Sequence, residues 1–155
     1  MRLWEVATGA KRRVLRRHER SVWSVSFSPD GAVLATGSED GTVRLWEMGT
    51  GAELRVLRGH AQSIRSVSFS PDGAVLATGS ADGTVRLWDI ATGECVAVLV
   101  SLDEGWVAFT PDGRYRYGGN LGGAFWHVIG LCRFEPGELA SLHVPDSEPL
   151  YRLPV

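Results

Sequence analysis

His18, Thr36 and Asp40 are the first residues in the chain whose types could do chemistry together. They return 42 positions later as His60, Thr78 and Asp82. A hydroxyl, an imidazole and a carboxylate are the parts of a nucleophile, its base and the group that orients the base. The duplication argues against that use, because a catalytic site needs no second near-identical copy. A buried carboxylate demands donors for reasons of solvation alone, and an imidazole can supply one. The set is therefore expected to be structural. Substituting Asp82 is expected to cost stability, and no enzymatic activity is expected.

Other reactive residues carry less. His127, Cys132 and His143 fit no zinc-ligand spacing, so neither metal nor cofactor is expected. Cys95 and Cys132 are isolated thiols, read as packing residues of a reducing compartment, which points to the cytoplasm. Lys11, Arg12, Arg13, Arg16, Arg17 and Arg20 cluster around the apolar Val14 and Leu15, as on a solvated outer strand. Little aromatic interleaving accompanies them and the net charge of the 155 residues is −2, so nucleic acid is not expected as a partner. No run of 18 apolar residues and no leader pattern occurs, so no membrane partner is expected either.

The elements that must position these residues repeat with them. Residues 24–46 recur as residues 66–88 with one difference, Glu39 against Ala81, and Trp4 stands 42 residues before Trp46. A fixed period of this size means stacked units. Within one unit, residues 64–69, 74–78, 84–90 and 94–100 read as short strands. They are separated by Ser70-Pro71-Asp72-Gly73, Ala81-Asp82-Gly83 and Ala91-Thr92-Gly93, all turn-forming. Four antiparallel strands per unit make a small sheet with apolar side chains on both faces. Burying about five such side chains per face is worth roughly 8–15 kcal/mol, so the sheets must pack face to face.

Gly59-His60, Ser-Pro-Asp-Gly, Ala81-Asp82-Gly83-Thr84 and Leu87-Trp88-Asp89 together resemble the tryptophan–aspartate (WD) repeat of β-propellers. His18, residues 28–31, Asp40 and Leu45-Trp46-Glu47 carry the same set. Arg17 stands where the family has Gly, and Glu47 where it has Asp. The resemblance covers residues 1–100. It implies an all-β fold of four-stranded antiparallel blades. It also implies two buried hydrogen-bonded tetrads, His18, Thr36, Asp40, Trp46 and His60, Thr78, Asp82, Trp88. Ser21, Trp23, Glu39, Ser63, Arg65 and Ala81 would then face the top entrance of the ring. Change between the repeats concentrates at Trp23 against Arg65, Glu39 against Ala81, and Glu19-Arg20 against Ala61-Gln62. Trp and Arg dominate interface energetics, so Trp23 and Arg65 are the expected partner-binding residues.

The organisation expected is a half blade at 1–17, repeats at 18–58 and 59–100, a worn terminal repeat at 101–139 and a Pro-rich tail at 140–155. The worn unit keeps Phe109-Thr110-Pro111-Asp112-Gly113, but Leu102 stands where His60 would recur. Residues 104–139 resemble the closing segment of large bacterial WD-repeat proteins. About three and a half blades make an incomplete propeller, since four to eight are needed to close. Met1 falls where the repeats carry Val, as a GTG start codon inside a longer repeat would give. The expected function is a non-catalytic protein–protein interaction or scaffold module, at the sensing or scaffold end of a bacterial signalling protein. Its partners would be a protein or peptide and further copies of the chain that complete the propeller. The alternatives are a propeller enzyme with a funnel active site and a remnant fragment without independent function.

Overall fold

The computed structural model describes residues 1–112 and 114–119, and the backbone of strands 127–129 and 132–134. The expected tail at 140–155 lies outside the described residues, as do His143 and the side chains of His127 and Cys132. Every described element is a strand, and every described pairing is antiparallel. The fold is all-β, with sheets consistent with the blades of an incomplete β-propeller. The chain divides into two compact units, Met1–Cys95 and Val96–Val155.

The first unit opens with β1 (Arg2–Trp4) and β2 (Lys11–Val14), a sheet of two strands. It continues as β3 (Val22–Phe27), β4 (Val33–Ser38), β5 (Val43–Glu47) and β6 (Glu53–Leu57), one sheet in sequential order. Next, β7 (Ile64–Phe69), β8 (Val75–Ser80) and β9 (Thr84–Asp89) repeat β3–β5 in the same register. Phe27 pairs with Leu34 as Phe69 does with Leu76, and Leu34 pairs with Trp46 as Leu76 does with Trp88. The turns explain the shared register. Ser28 Oγ accepts the Val33 N–H at 2.8 Å, Asp30 accepts the Ala32 N–H at 3.0 Å, and Gly31 takes φ +69°. Ser70, Asp72 and Gly73 do the same one period later.

The core of this unit lies where the two repeats meet. Ala35, Val43 and Leu45 cluster with Ile64, Val67 and Leu76. Gly37 permits the approach, because a Cβ at that position would lie 2.5 Å from Ile64 Cγ2 and 3.0 Å from Val67 Cγ1. Ser24 Oγ accepts the Val67 N–H at 3.1 Å across the same seam. A smaller cluster joins Leu15 to Leu34 and Trp46, with Met1, Leu3 and Met48 packed against it. At the periphery Arg55 on β6 donates to the carbonyls of Thr92 (2.6 Å) and Ala91 (2.9 Å), in the turn after β9. Arg13 on β2 reaches the carbonyls of Thr50 and Gly49 in the same way.

The strand β10 (Cys95–Ser101) starts at the last residue of the first unit. In the second unit, Val98–Ser101 of β10 pairs with β11 (Gly105–Phe109), and β11 pairs with β12 (Tyr115–Gly119). The first strand of the worn repeat therefore continues from the strand before it. Its turn is one residue shorter than in the earlier repeats, Phe109 pairing with Tyr115. The strands β13 (His127–Ile129) and β14 (Cys132–Phe134) form a two-stranded sheet.

Candidate functional site

His18 stands in the loop before β3, Thr36 on β4, Asp40 in the turn after β4 and Trp46 on β5. The antiparallel register brings all four together. His18 Nδ1 lies 2.9 Å from Asp40 Oδ2, His18 Nε2 2.7 Å from Thr36 Oγ1, and Trp46 Nε1 2.9 Å from Thr36 Oγ1. The donors order themselves. Indole N–H can only donate, so Thr36 Oγ1 accepts from Trp46 and turns its own proton to His18 Nε2. That leaves Nδ1–H to donate to the carboxylate. His60, Thr78, Asp82 and Trp88 repeat the network with 2.9, 2.8 and 2.8 Å at the matching contacts.

Two further residues complete each carboxylate. The Thr42 hydroxyl and N–H donate to Asp40 Oδ1 at 2.6 and 2.9 Å, and the Glu19 N–H donates to Oδ2 at 3.1 Å. Thr84 and Ala61 do the same for Asp82. Burial alone would raise the pKa of Asp40. The Thr42 hydroxyl, the His18 ring and the N–H groups of Thr42 and Glu19 outweigh it and hold the carboxyl well below the usual carboxylate range. Asp82 is lowered in the same way, burial again opposed by Thr84, His60 and the Ala61 N–H. Thr42 and Thr84 are the members that sequence reasoning missed. Their signal was present, since Asp-Gly-Thr occurs at both turns.

This geometry resembles a hydroxyl–imidazole–carboxylate relay without an outlet. Thr36 and Thr78 are fully buried, and each hydroxyl is engaged by both an indole and an imidazole. The arrangement ties three strands and a loop of one sheet together. Among the described residues, no group of three His, Cys, Asp or Glu could hold a metal ion.

The residues expected to bind a partner stand in the neighbouring turns and strands, where Trp23 differs from Arg65 and Glu39 from Ala81. The Glu39 N–H donates to Ser21 O at 2.8 Å, and the Ala81 N–H donates to Ser63 O at 2.9 Å. Each pair thus fixes a turn to the start of an inner strand. The pairing of β3 with β4 skips between Val22 and Ser24, and that of β7 with β8 between Ile64 and Ser66. Trp23 and Arg65 are the skipped residues. A bulge re-aims the side chain it carries, and here the two meet, with Arg65 Cζ 4.8 Å from the centre of the Trp23 ring. Trp23 stays 55 % exposed, so the pair presents a large apolar and cationic surface to solvent. Arg20 lies 3.4 Å from Glu39 beside it. Period-two spacing does not reveal a bulge, so the sequence did not show why Trp23 and Arg65 meet.

The family described as WD domain, G-beta repeat matches residues 9–47 and 51–89, together half of the chain. The chain belongs to the WD40 repeat family. Among curated proteins it is similar to coronin-7 of Mus musculus, 46 % identical over 44 residues, and to coronin-7 of Homo sapiens, 43 % identical over 44 residues. Each alignment takes in 28 % of this chain and 5 % of the relative, so the likeness is to a short stretch of a much longer protein. WD40 repeats generally mediate protein–protein interaction, and domains built from them are typically non-catalytic.

Proposed function

We propose that this WD40 chain is a protein-interaction module whose recognition surface is the rim formed by Ser21, Trp23, Glu39, Ser63, Arg65 and Ala81. The observation that carries the reading is the contrast between scaffold and rim. The buried networks are duplicated contact for contact, while at the rim Trp23 stands against Arg65 and Glu39 against Ala81. A stacked Trp–Arg pair is rigid and amphipathic, and suits an extended peptide segment carrying an apolar side chain beside an acidic one. The module belongs, in this reading, to the sensing or scaffold end of a bacterial cytoplasmic signalling protein. The likeness of residues 104–139 to the closing segment of such proteins supports it. Among the described residues no helix is long and apolar enough to cross a membrane. A second copy of the chain is, in this reading, a further partner.

The test is a displayed-peptide selection on the whole chain. Selected peptides should lose at least tenfold in affinity against Trp23→Ala combined with Arg65→Ala, with the denaturation midpoint unchanged. Binding that survives both substitutions refutes this rim.

A further inference from the structure

Arg44 on β5 and Arg86 on β9 stand 42 residues apart, each opposite a network threonine, Thr36 or Thr78. A guanidinium is always charged in a protein and has five N–H groups to place. In both residues Nε is buried without a hydrogen-bond partner. Arg44 nevertheless has an anion, because its Nη1 donates to the Glu53 carboxylate. With that partner Arg44 is 9 % exposed. One period later Cys95 stands in the place of Glu53, and a thiol offers no carboxylate. Among the described residues no carboxylate pairs with Arg86, which is left half-buried.

A second difference between the repeats falls on the same cation. Gly59 stands where the first repeat has Arg17. A Cβ on Gly59 would lie 2.9 Å from Arg86 Nη1 and 3.4 Å from its Cζ, with Trp88 Cη2 at 3.2 Å. The glycine therefore gives the Arg86 guanidinium room against the backbone just before His60. Residues 24–46 and 66–88 differ at one position, so the two flanking changes stand out. One withdraws the carboxylate from this arginine, and the other opens space beside it.

We propose that Arg86 is a carboxylate-binding site, which takes from outside the chain the group that Glu53 supplies to Arg44. A charge held partly out of water without a counter-charge is costly, and pairing relieves that cost. The first repeat selects the ligand, since it shows a carboxylate on the same guanidinium at the same strand position. Charge-assisted N–H to carboxylate bonds are the strong ones, and the planar guanidinium fork matches a carboxylate in shape. The carboxylate arrives on a small acid or on an aspartate or glutamate side chain of a partner. Arg86, Gly59 and Cys95 all lie in the first compact unit, and none belongs to the rim, so the site goes beyond the reading above.

The experiment follows arginine Nε–H resonances of the full chain by nuclear magnetic resonance. The Arg86 signal is the one lost in Arg86→Lys, and the Arg44 signal, lost in Arg44→Lys, is the internal control. Sodium acetate is titrated against sodium chloride at matched ionic strength. We expect acetate to move the Arg86 signal saturably, at least fivefold further than chloride does and at least fivefold further than it moves Arg44. In Cys95→Glu, which carries its own carboxylate as the first repeat does, the signal should start near the acetate-bound position and move at least fivefold less. A short peptide with one glutamate, and its glutamine counterpart, separate the sources. Saturation by the glutamate peptide at least tenfold below acetate, with the glutamine peptide inert, assigns the carboxylate to a partner's side chain. Saturation at acetate-like concentrations assigns it to a small acid. An Arg86 signal that neither acetate nor the glutamate peptide moves further than chloride overturns the proposal. So does a full-sized acetate shift in folded Cys95→Glu. Peptides selected on the rim should bind Cys95→Glu as they bind wild type, so failure of either site leaves the other measurable.

Discussion

The Asp82 carboxylate accepts four hydrogen bonds, from His60, Thr84 twice and Ala61. Asp82→Ala strands those donors beside a buried imidazole, and a buried donor without an acceptor costs about 1–3 kcal/mol. The expected result is a loss of that size in urea denaturation, and a loss below about 0.5 kcal/mol contradicts the structural role. The same carboxylates set an acid limit. Their folded pKa values lie below the ordinary 3.8, so below that pH the unfolded chain binds more protons than the folded one. The stability they contribute is complete above about pH 5 and is lost as pH falls from about 4 toward the folded values. Urea midpoints between pH 6 and pH 2.5 should fall less steeply for Asp40→Asn combined with Asp82→Asn than for wild type. The principal members of the networks were legible because every residue type recurred at one spacing and the resemblance to the WD repeat implied which of them join. Thr42 and Thr84 were passed over because a Thr after Asp-Gly reads equally well as the first residue of the next strand.

Strands and turns were legible for a physical reason. Ser-Pro-Asp-Gly closes its own hydrogen bonds locally, so its conformation is written in four residues. The seam between sheets was less so, because the sequence requires face-to-face packing without saying which residues touch. Gly37 and Gly79 show the difference, being identical in sequence context. A Cβ at Gly37 would strike Ile64 and Val67 of the next repeat, where buried branched side chains have little room to move. A Cβ at Gly79 meets, among the described residues, only the Ser66 side chain, whose Oγ can rotate away. Gly37→Ala should therefore destabilise by about 1–3 kcal/mol and Gly79→Ala by clearly less. Equal denaturation midpoints for the two variants would contradict the seam. The basic strands show the same limit of sequence reading. Arg13 reads as part of a solvated outer strand, yet it grips the carbonyls of Gly49 and Thr50 in the turn after β5, as Arg55 grips those of Ala91 and Thr92 in the turn after β9.

At the scale of the molecule, two near-identical repeats supply a scaffold, and a few residues at their rim differ. If the scaffold is indifferent to what it displays, Trp23→Arg combined with Arg65→Trp should leave the fold intact. Both residues sit at equivalent bulges, and the cation and the ring would still face each other. Recognition, in contrast, depends on which repeat carries which residue. The decisive measurement is the affinity of peptides selected on wild type for this exchanged variant, with the denaturation midpoint as the control for folding. The account predicts a wild-type midpoint within about 1 kcal/mol, the usual range for exposed substitutions, and affinity reduced at least tenfold. Unchanged affinity in a folded, exchanged chain would place recognition elsewhere and contradict it.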